Sequence, residues 1–243
     1  MDPQQLAGAA LLLIILLVSL SLHEFGHAFV ADLRGDPLPR LQGRVTLNPF
    51  AHLDPIGSFL IPGVMIFGPL LVGGAFPVAL IGWGRPVQIS LPNPKTRRLD
   101  DILITLAGPA VNIVLALAAS LALGVVLANA AADAESGQGY FEAVRSSPVI
   151  VRFLLPALFM NVALAFFNML PVPPLDGSHL LRHAVGMSDE KYALLSRHGW
   201  WVMLILINIS AVSNLLQKGI EYAAYPFLML AQLVQEAVLR VSA

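Results

Sequence analysis

Residues 6–35, LAGAALLLIILLVSLSLHEFGHAFVADLRG, decide the fold because they join a membrane-length apolar run to three ionisable side chains. A transmembrane helix needs about 20 mostly apolar residues, and the stretch from Leu6 to Val30 meets that requirement. His23, Glu24 and His27 stand near its end. Ionisable groups inside a membrane helix cost about 2.5 to 3.5 kcal/mol each on insertion scales. We therefore interpret the three clustered groups as a functional site.

The composition of the whole chain indicates an integral membrane protein. Of 243 residues, 57% are hydrophobic and only 12% are charged, which lies outside the usual balance of a soluble globular domain. The net charge of −1 provides no basic surplus, so we expect no nucleic-acid partner. The apolar N-terminal run lacks the basic leading region and cleavage site of a signal peptide. We expect this run to remain in the mature protein.

Apolar stretches of membrane length recur along the chain. Three more qualify by length and composition: Ile102 to Ala128, Val149 to Leu170, and Trp200 to about Leu216. A fifth stretch, Ile220 to Leu239, carries a glutamate near each end, and the sequence leaves open whether it crosses the bilayer or lies along its surface. We therefore expect an α-helical integral membrane protein with about five to six transmembrane helices, folded as a single domain over residues 1–243.

The basic residues indicate the orientation of the chain. Ten of the 14 lysines and arginines fall in three connections, which span residues 34–44, 85–98 and 182–197. Basic loops remain on the cytoplasmic side of a membrane. We therefore expect these connections inside, the N-terminus outside and a site that opens toward the cytoplasm. The expected location is a bacterial cell membrane.

The apolar stretch from Pro55 to Trp83 must then begin and end on the same side of the membrane. It is too short for two crossings of about 20 residues each. Its glycines and prolines favour a short helix followed by an irregular or extended return, which is tolerated at membrane depth where protein covers it or water reaches it. We expect a re-entrant segment or β-hairpin here, between the first and third core helices. A strand edge between Ala75 and Ile89 would then be free to pair with another extended peptide segment.

The spacing of the two histidines is typical of a metal site. Residues i and i+4 share one helix face about 6 Å apart, so His23 and His27 can both direct a ring nitrogen at one ion. Glu24 lies about 100° around the helix from His23, which suits a general base better than a ligand. Catalytic zinc usually takes three protein ligands. Because the chain has no cysteine, the third ligand must be another His, Asp or Glu.

The segment FNMLPVPPLDGSHLL, residues 167–181, offers this third ligand. Its prolines disfavour helix, so the preceding span must end here and Asp176 must be presented from unwound backbone. The simpler interpretation of the prolines is a helix terminator alone. An acidic residue at the end of a membrane span, on the same side as His27, favours a ligand instead.

The two motifs together resemble the site-2 protease family of intramembrane zinc metalloproteases. In that family an H-E-x-x-H helix and an N-x-x-P-x-P-x-L-D-G segment form the active site. The residues that match are His23, Glu24, His27, Asn168, Pro171, Pro173, Leu175, Asp176 and Gly177. The stretch LAGPAVNIVLA, residues 106–116, also resembles the family's third core helix, whose small residues permit close helix contact. The resemblance covers most of residues 6–187, the expected catalytic core, and is weakest over the C-terminal helices at 200–243.

The resemblance implies a function and a role for each motif residue. Zn²⁺ would be bound by His23, His27 and Asp176, Glu24 would be the base and proton shuttle, and Asn168 would position substrate or stabilise the tetrahedral intermediate. The substrates would be transmembrane proteins, cut in or near their membrane segments in regulated intramembrane proteolysis. Ser178 and His179 depart from the common Gly-Arg pair, and His179 adds a nitrogen that competes for the metal.

Several alternatives remain open at the level of sequence. A transporter or channel also uses broken helices and buried ionisable groups, and a family member could bind membrane segments without cutting them. His52 is most simply a turn residue at the membrane interface, and the less favoured interpretation is that it contacts substrate. We also interpret Pro171 and Pro173 as candidate substrate-binding residues. Asn112 and Asn161 are interpreted as interhelical hydrogen-bonding groups. A regulatory membrane partner would fit substrate selection, and the oligomeric state stays open.

Overall fold

The computed structural model describes residues 2–72, 82–134 and 150–242, and nearly all of the regular structure there is helical. We number the α-helices along the chain. They are α1 (Pro3–Leu33), α2 (Leu38–Leu41), α3 (Ile61–Val72), α4 (Arg97–Ala134), α5 (Leu155–Asn168), α6 (Gly177–Ala184), α7 (Asp189–Ile207) and α8 (Ser210–Ser242). A short 3-10 helix (Pro49–Ala51) and two π-helical turns (Pro55–Leu60 and Ile150–Leu154) complete the described helical structure.

Helix α1 begins and ends at recognisable signals. Asp2 caps it, since its side chain accepts a hydrogen bond from the Gln4 amide at 3.0 Å, and Pro3 stands at the first helical position. Gly35 follows with φ +84, the left-handed conformation that commonly terminates a helix. At about 1.5 Å per residue, the 31 residues of α1 exceed the roughly 30 Å of a bilayer core.

Among the described residues, three helical segments are long and apolar enough to cross a membrane. They are Pro3–Leu33, Pro55–Val72 and Arg97–Ala131, and Arg152–Asn168 is a shorter apolar helix. A fourth span results if the bent pair Trp201–Ile207 and Ser210–Val241 is counted as one. The chain is therefore an α-helical membrane protein, and the expected total of five to six spans stays a prediction.

The expected fourth span, Trp200 to about Leu216, is not one continuous helix. Helix α7 ends at Ile207, α8 begins at Ser210, and the two meet at 84°. Asn208 and Ser210 stand at this break, but apolar residues continue on both sides of it, so average hydropathy did not locate it. The stretch Ile220 to Leu239, left open above, lies entirely within α8.

The core is formed by α4, α5 and α8. Its buried apolar side chains come from all three helices and from the turn before α5: Ala116, Ala119, Leu123, Leu154, Leu158, Val162, Ala224, Phe227 and Ala231. Gly124 of α4 lies so close to α8 that an added Cβ would stand 2.6 Å from Cβ of Val234. The hydroxyl of Ser120 donates to the carbonyl of Phe227. Helix α8 is thus packed along α4.

Helix α1 packs against the other side of this core at short distance. A Cβ on Gly26 would lie 2.8 Å from the Ala107 carbonyl oxygen. The contact lies within the stretch 106–116, whose small residues predicted such an approach. It brings the second half of α1 beside the first half of α4.

The region after α3 is described only in part. Residues 73–81, which include much of the expected re-entrant strand edge, lie outside the described residues. Residues 82–93 carry no helix and form one isolated antiparallel bridge, Leu53 to Gly84. Within the described ranges no strand is present, so the β-hairpin stays a prediction. Asp54 caps the helical turn that begins at Pro55 by accepting a hydrogen bond from the Gly57 amide at 2.7 Å.

Candidate metal centre

Three potential metal ligands meet where α1 approaches the segment before α6. Nε2 of His23 and Nε2 of His27 are 3.1 Å apart. Oδ2 of Asp176 lies 3.2 Å from the first and 3.4 Å from the second. Both histidines are buried, and Asp176 is half-buried. These three are the only group of metal-binding side chains with this spacing in the part of the chain that the structure describes.

The hydrogen bonds of the two imidazoles fix their tautomers. Nδ1 of His27 lies 2.7 Å from the carbonyl oxygen of Ile104, and a carbonyl can only accept, so Nδ1 carries the proton. Nδ1 of His23 lies 2.6 Å from Oδ1 of Asn112. In each neutral ring the proton is then on Nδ1, and Nε2 is left with a free lone pair.

A relay of amide groups sets the orientation of Asn112. Its amide nitrogen donates to Oδ1 of Asn161 at 3.0 Å. The amide nitrogen of Asn161 in turn donates to the Ala157 carbonyl on α5 at 2.8 Å. Because both amide nitrogens are engaged, the Asn112 oxygen faces His23. The interhelical role predicted for the two asparagines is confirmed, and their position behind a candidate ligand is an addition that the sequence did not reveal.

This arrangement suits a bound cation. Two nitrogen lone pairs and a carboxylate oxygen converge within 3.4 Å, and Oδ2 of Asp176 has no hydrogen-bond partner among the described residues. Without a cation, three electron-rich atoms would repel one another. Zinc bonds of about 2.0 to 2.1 Å in tetrahedral geometry place neighbouring ligands about 3.3 Å apart. The residues present therefore fit zinc.

Gly108 of α4 leaves room beside the ligand atoms. A Cβ at this position would lie 2.6 Å from Nε2 of His23 and closer still to Nε2 of His27. Real Cβ atoms do not approach other atoms so closely, since carbon contacts are about 3.5 to 4.0 Å. A glycine is therefore required at this position for space rather than for backbone freedom.

Glu24 lies beside the centre, on the side of the irregular segment after α3. Its side chain packs against Gly84, where an added Cβ would be 2.6 Å from Cγ of Glu24. The positive charge of Arg44 and the negative charge of Asp176 act on Glu24. The buried Arg44 guanidinium donates to the carbonyls of Ala51 and Arg85. It thereby ties the segment that covers Glu24 to the preceding loop.

The preceding helix ends before the proline segment, as predicted, but Asp176 itself stands at the N-terminal cap of α6 with helical φ and ψ rather than on unwound backbone. Helix α5 ends at Asn168, and Asp176 is the residue before the first turn of α6. Gly177 permits this geometry, because an added Cβ would lie 2.6 Å from the Leu170 carbonyl oxygen and closer still to that of Met169. The chain therefore folds back tightly on the end of α5 and delivers the carboxylate to the two histidines.

The remaining sequence candidates lie in varied surroundings. The amide nitrogen of Asn168 donates to the Leu164 carbonyl at 2.9 Å, one turn earlier in α5. Pro171 is exposed. Pro173 is buried, and an added Cβ on Gly199 of α7 would be 2.9 Å from its Cβ. The roles predicted for these residues stay predictions.

His52 is buried within the protein, and its position at the membrane interface stays a prediction. Only 1% of it is exposed, and Nε2 lies 2.8 Å from the Thr46 carbonyl, to which it donates. Burial is the main cause that lowers the pKa of His52, and the nearby Arg44 charge acts in the same direction. The ring is therefore held neutral. Its predicted contact with substrate stays a prediction.

His179 does not face the metal ligands. Its Nδ1 lies 3.4 Å from Oδ1 of Asp101 on α4. The neighbouring Ser178 shares a hydrogen bond with the Tyr192 hydroxyl at 2.8 Å. The two residues that depart from the common pattern thus contact other helices, and His179 is not among the side chains that converge at the candidate metal centre.

Comparison with known proteins adds to this geometry. A family model described as "Peptidase family M50" matches residues 58–209. The chain is 35% identical over 196 residues to the Bacillus subtilis (strain 168) protein named "Putative zinc metalloprotease YwhC", covering 80% of this chain and 78% of that protein. It is 31% identical over 194 residues to a Mycolicibacterium smegmatis protein named "Putative zinc metalloprotease Rip2", covering 79% of this chain and 63% of that one. No solved structure gives a significant match.

Proposed function

Since this chain belongs to peptidase family M50, we propose that it is an intramembrane zinc metalloprotease whose metal ligands are His23, His27 and Asp176. The observation that carries the ligand assignment is the convergence of three lone-pair atoms within 3.4 Å, with both imidazoles held in the tautomer that a metal requires. The names of the relatives support zinc as the metal. Family membership agrees with the resemblance drawn from the two sequence motifs.

The chemistry follows from what surrounds the ligands. Bound zinc supplies Lewis acidity, polarising the scissile carbonyl and lowering the pKa of a coordinated water to about 7. Glu24, one position after His23 and covered by Gly84, accepts the proton of the attacking water as oxygen bonds to the carbonyl carbon. When the carbon–nitrogen bond breaks, Glu24 returns that proton to the leaving nitrogen. Water is consumed, and one acid and one amine are produced.

Other side chains keep the reacting groups in place. Asn112 and the Ile104 carbonyl hold the imidazoles neutral and oriented, so that neither ring loses its free lone pair. Asn168 is our proposed donor to the developing oxyanion. Its amide nitrogen bonds its own helix at 2.9 Å in this structure, so the proposed role requires a change of rotamer when substrate binds.

The substrate class follows from the location of the site. Glu24, His23 and His27 stand on an apolar helix of membrane length, where the peptide bonds of other membrane segments can reach them. We therefore propose transmembrane proteins as substrates and regulated intramembrane proteolysis as the process. The amides of Trp83 and Arg85 bond the carbonyls of Gly57 and His52 at 3.1 and 2.7 Å. In extended backbone the intervening Gly84 then directs its own amide to the opposite side. This supports pairing of an unwound substrate beside Glu24.

The orientation and partners remain part of the proposal. Basic residues at the end of α1 and in the loop after it favour a site that opens toward the cytoplasm and an N-terminus outside the cell membrane. In this proposal the protein is embedded in a lipid bilayer. A membrane partner that regulates access is compatible with the chain.

The test is hydrolysis by purified protein in detergent. A panel of single-span peptides is incubated with the wild type, with the wild type plus a chelator, and with the Glu24→Gln variant. We expect the wild type to cleave the peptides and Glu24→Gln not to, although each should contain about one zinc per chain. The chelator should abolish cleavage by the wild type. Glu221→Gln, the same change at an exposed position of α8, is the matched control and should cleave normally.

The same experiment separates the alternatives. Zinc content near zero in the wild type would remove the metal centre. Hydrolysis that persists in Glu24→Gln would remove Glu24 from the role of base. Peptides that bind without yielding products would favour a non-cleaving binder, and ion or solute flux in vesicles without cleavage would favour a transporter.

A further inference from the structure

A second carboxylate, outside the metal centre, contacts two histidines. Asp101, which is 6% exposed, lies in the first turns of α4. Its Oδ2 is 2.7 Å from Nε2 of His183, and its Oδ1 is 3.4 Å from Nδ1 of His179. Both histidines belong to α6, the short helix that begins directly after Asp176. None of these three residues has a role in the chemistry described above.

One face of α4 connects this cluster to the metal centre. Residues 101, 104, 108 and 112 follow one another at spacings of three, four and four, so they form a single stripe along the helix. Within that stripe the Ile104 carbonyl bonds His27, Gly108 faces both Nε2 atoms, and Asn112 bonds His23. Asp101 continues the stripe toward the start of α4. Helix α4 donates no metal ligand, yet it contacts both histidine ligands.

One face of α6 matches this stripe. Asp176, His179 and His183 are spaced by three and four residues, so the candidate ligand and both histidines lie on the same side of the helix. Helix α6 has only eight residues, and isolated helices shorter than about 12 residues are marginal in water. Its position therefore depends on what it packs against. The guanidinium of Arg98 on α4 reinforces this contact by donating to the His183 carbonyl at 3.0 Å.

We propose that Asp101 is a positioning residue for the third metal ligand. Through its hydrogen bond to His183, with His179 in contact beside it, it holds α6 on α4, and it thereby holds the carboxylate of Asp176 against Nε2 of His23 and His27. The proposal rests on the zinc centre proposed above and goes beyond it, because it assigns a function to a carboxylate that contacts neither metal nor substrate. His23 and His27 stand on one long helix and need no such support.

Zinc affinity in three variants tests the proposal. Competition with a chromogenic chelator, at a temperature well below unfolding, measures zinc binding by Asp101→Ala, by His183→Gln and by Asp189→Asn. We expect zinc to bind about 10- to 100-fold more weakly in the first two, the usual range when an outer partner of a ligand is lost. Asp189→Asn is the control, since Asp189 also pairs with α6, through Arg182, but is exposed. Exposed pairs contribute little, so its affinity should be unchanged.

A double-mutant cycle distinguishes positioning from a general loss of structure. If Asp101 acts through Asp176, then Asp101→Ala should weaken zinc binding in the wild type but have no further effect in Asp176→Ala, where only the two histidines bind. Equal weakening in both backgrounds would overturn the proposal, as would unchanged zinc affinity in Asp101→Ala. A lower unfolding temperature with unchanged affinity would likewise show a merely structural residue.

The outcome is independent of hydrolysis. Wild-type protein that binds zinc and shows the expected cycle, but cleaves no peptide, would support the positioning role and overturn the proposed function. Wild-type protein that binds no zinc would overturn both. Cleavage and zinc binding that are both unaffected by Asp101→Ala would overturn the positioning role alone.

Discussion

Substitution of Gly108 by alanine is the most direct test of where the metal lies. The added Cβ would stand 2.6 Å from both Nε2 of His23 and Cε1 of His27. Ordinary contacts are about 3.5 to 4.0 Å, so the two rings would have to move about 1 Å to admit the methyl group. A zinc–nitrogen bond is about 2.0 to 2.1 Å long. A displacement of half that length removes a ligand.

The expected loss of affinity is large, while the fold should be retained. Disturbing both imidazoles should weaken zinc binding more than about 100-fold, the upper end of the effect of losing one outer partner, which corresponds to about 2.7 kcal/mol. The helix itself gains, because alanine is favoured over glycine inside a helix by about 1 kcal/mol. We therefore expect Gly108→Ala to fold, to lose zinc and to lose hydrolysis together.

The assay combines zinc content with unfolding in detergent. Gly8→Ala on α1 is the matched control, since an added Cβ there meets nothing within 4 Å. It should keep both zinc and activity. Retention of zinc by Gly108→Ala within about threefold of the wild-type affinity, less than 1 kcal/mol, would refute the position that we assign to the ion.

Three further predictions address other parts of the structure. Asn112→Ala should weaken zinc binding about 10- to 100-fold, because His23 loses the acceptor that fixes its tautomer. Competition with a chelator measures the affinity. An unchanged zinc affinity would contradict the role of Asn112 in orienting His23. Gly124→Ala should destabilise the protein by about 1 to 3 kcal/mol, because the added methyl group would clash between α4 and α8. The measurement is a lower unfolding temperature. Zinc affinity should not change, and a change would contradict our view that this part of the core is independent of the metal centre. Burial raises the pKa of the Asp36 carboxyl, but hydrogen bonds from Ser90, Leu38 and Leu91 outweigh burial and hold that pKa below its ordinary 3.8. The Asp36 carboxylate therefore stabilises the folded protein fully above pH 3.8, and this stabilisation is lost as the pH falls through the lower pKa of the folded state. Below pH 3.8 the free energy of unfolding of Asp36→Asn should thus fall less steeply with pH than that of the wild type. Parallel plots of unfolding free energy against pH would refute the assignment.

The sequence predicted the candidate metal ligands better than the residues that hold those ligands in position. His23 and His27 could be paired because a helix has a fixed period, and the prolines before Asp176 required the helix to end there. The partner of His23 could not be found in this way. Asn112 lies 89 positions away, and its hydrogen bond depends on how closely α1 approaches α4 at Gly26. Packing at that level is a property of the folded chain.

The bend in the C-terminal region could not be predicted for a similar reason. The stretch from Trp200 to about Leu216 was expected to be one span because most of its residues are apolar, and hydropathy does not show where a helix changes direction. The 84° bend at residues 208–209 depends on how α7 and α8 pack. Helix α8 lies against α4 and α5, while Gly199 of α7 lies against the proline segment before Asp176. These contacts connect distant parts of the chain, and a local pattern does not contain them.

The ligand set divides into a pair on one helix and a third member from a separate segment. His23 and His27 are fixed by close packing of α1 on α4 at Gly26 and by hydrogen bonds to α4, neither of which requires metal. Asp176 stands at the N-terminal cap of α6, after the proline segment that follows α5, so its distance from the two imidazoles depends on how α6 packs on α4. The hydrogen bond between Asp101 and His183 joins these two helices, and it is therefore placed to hold the third ligand beside the other two.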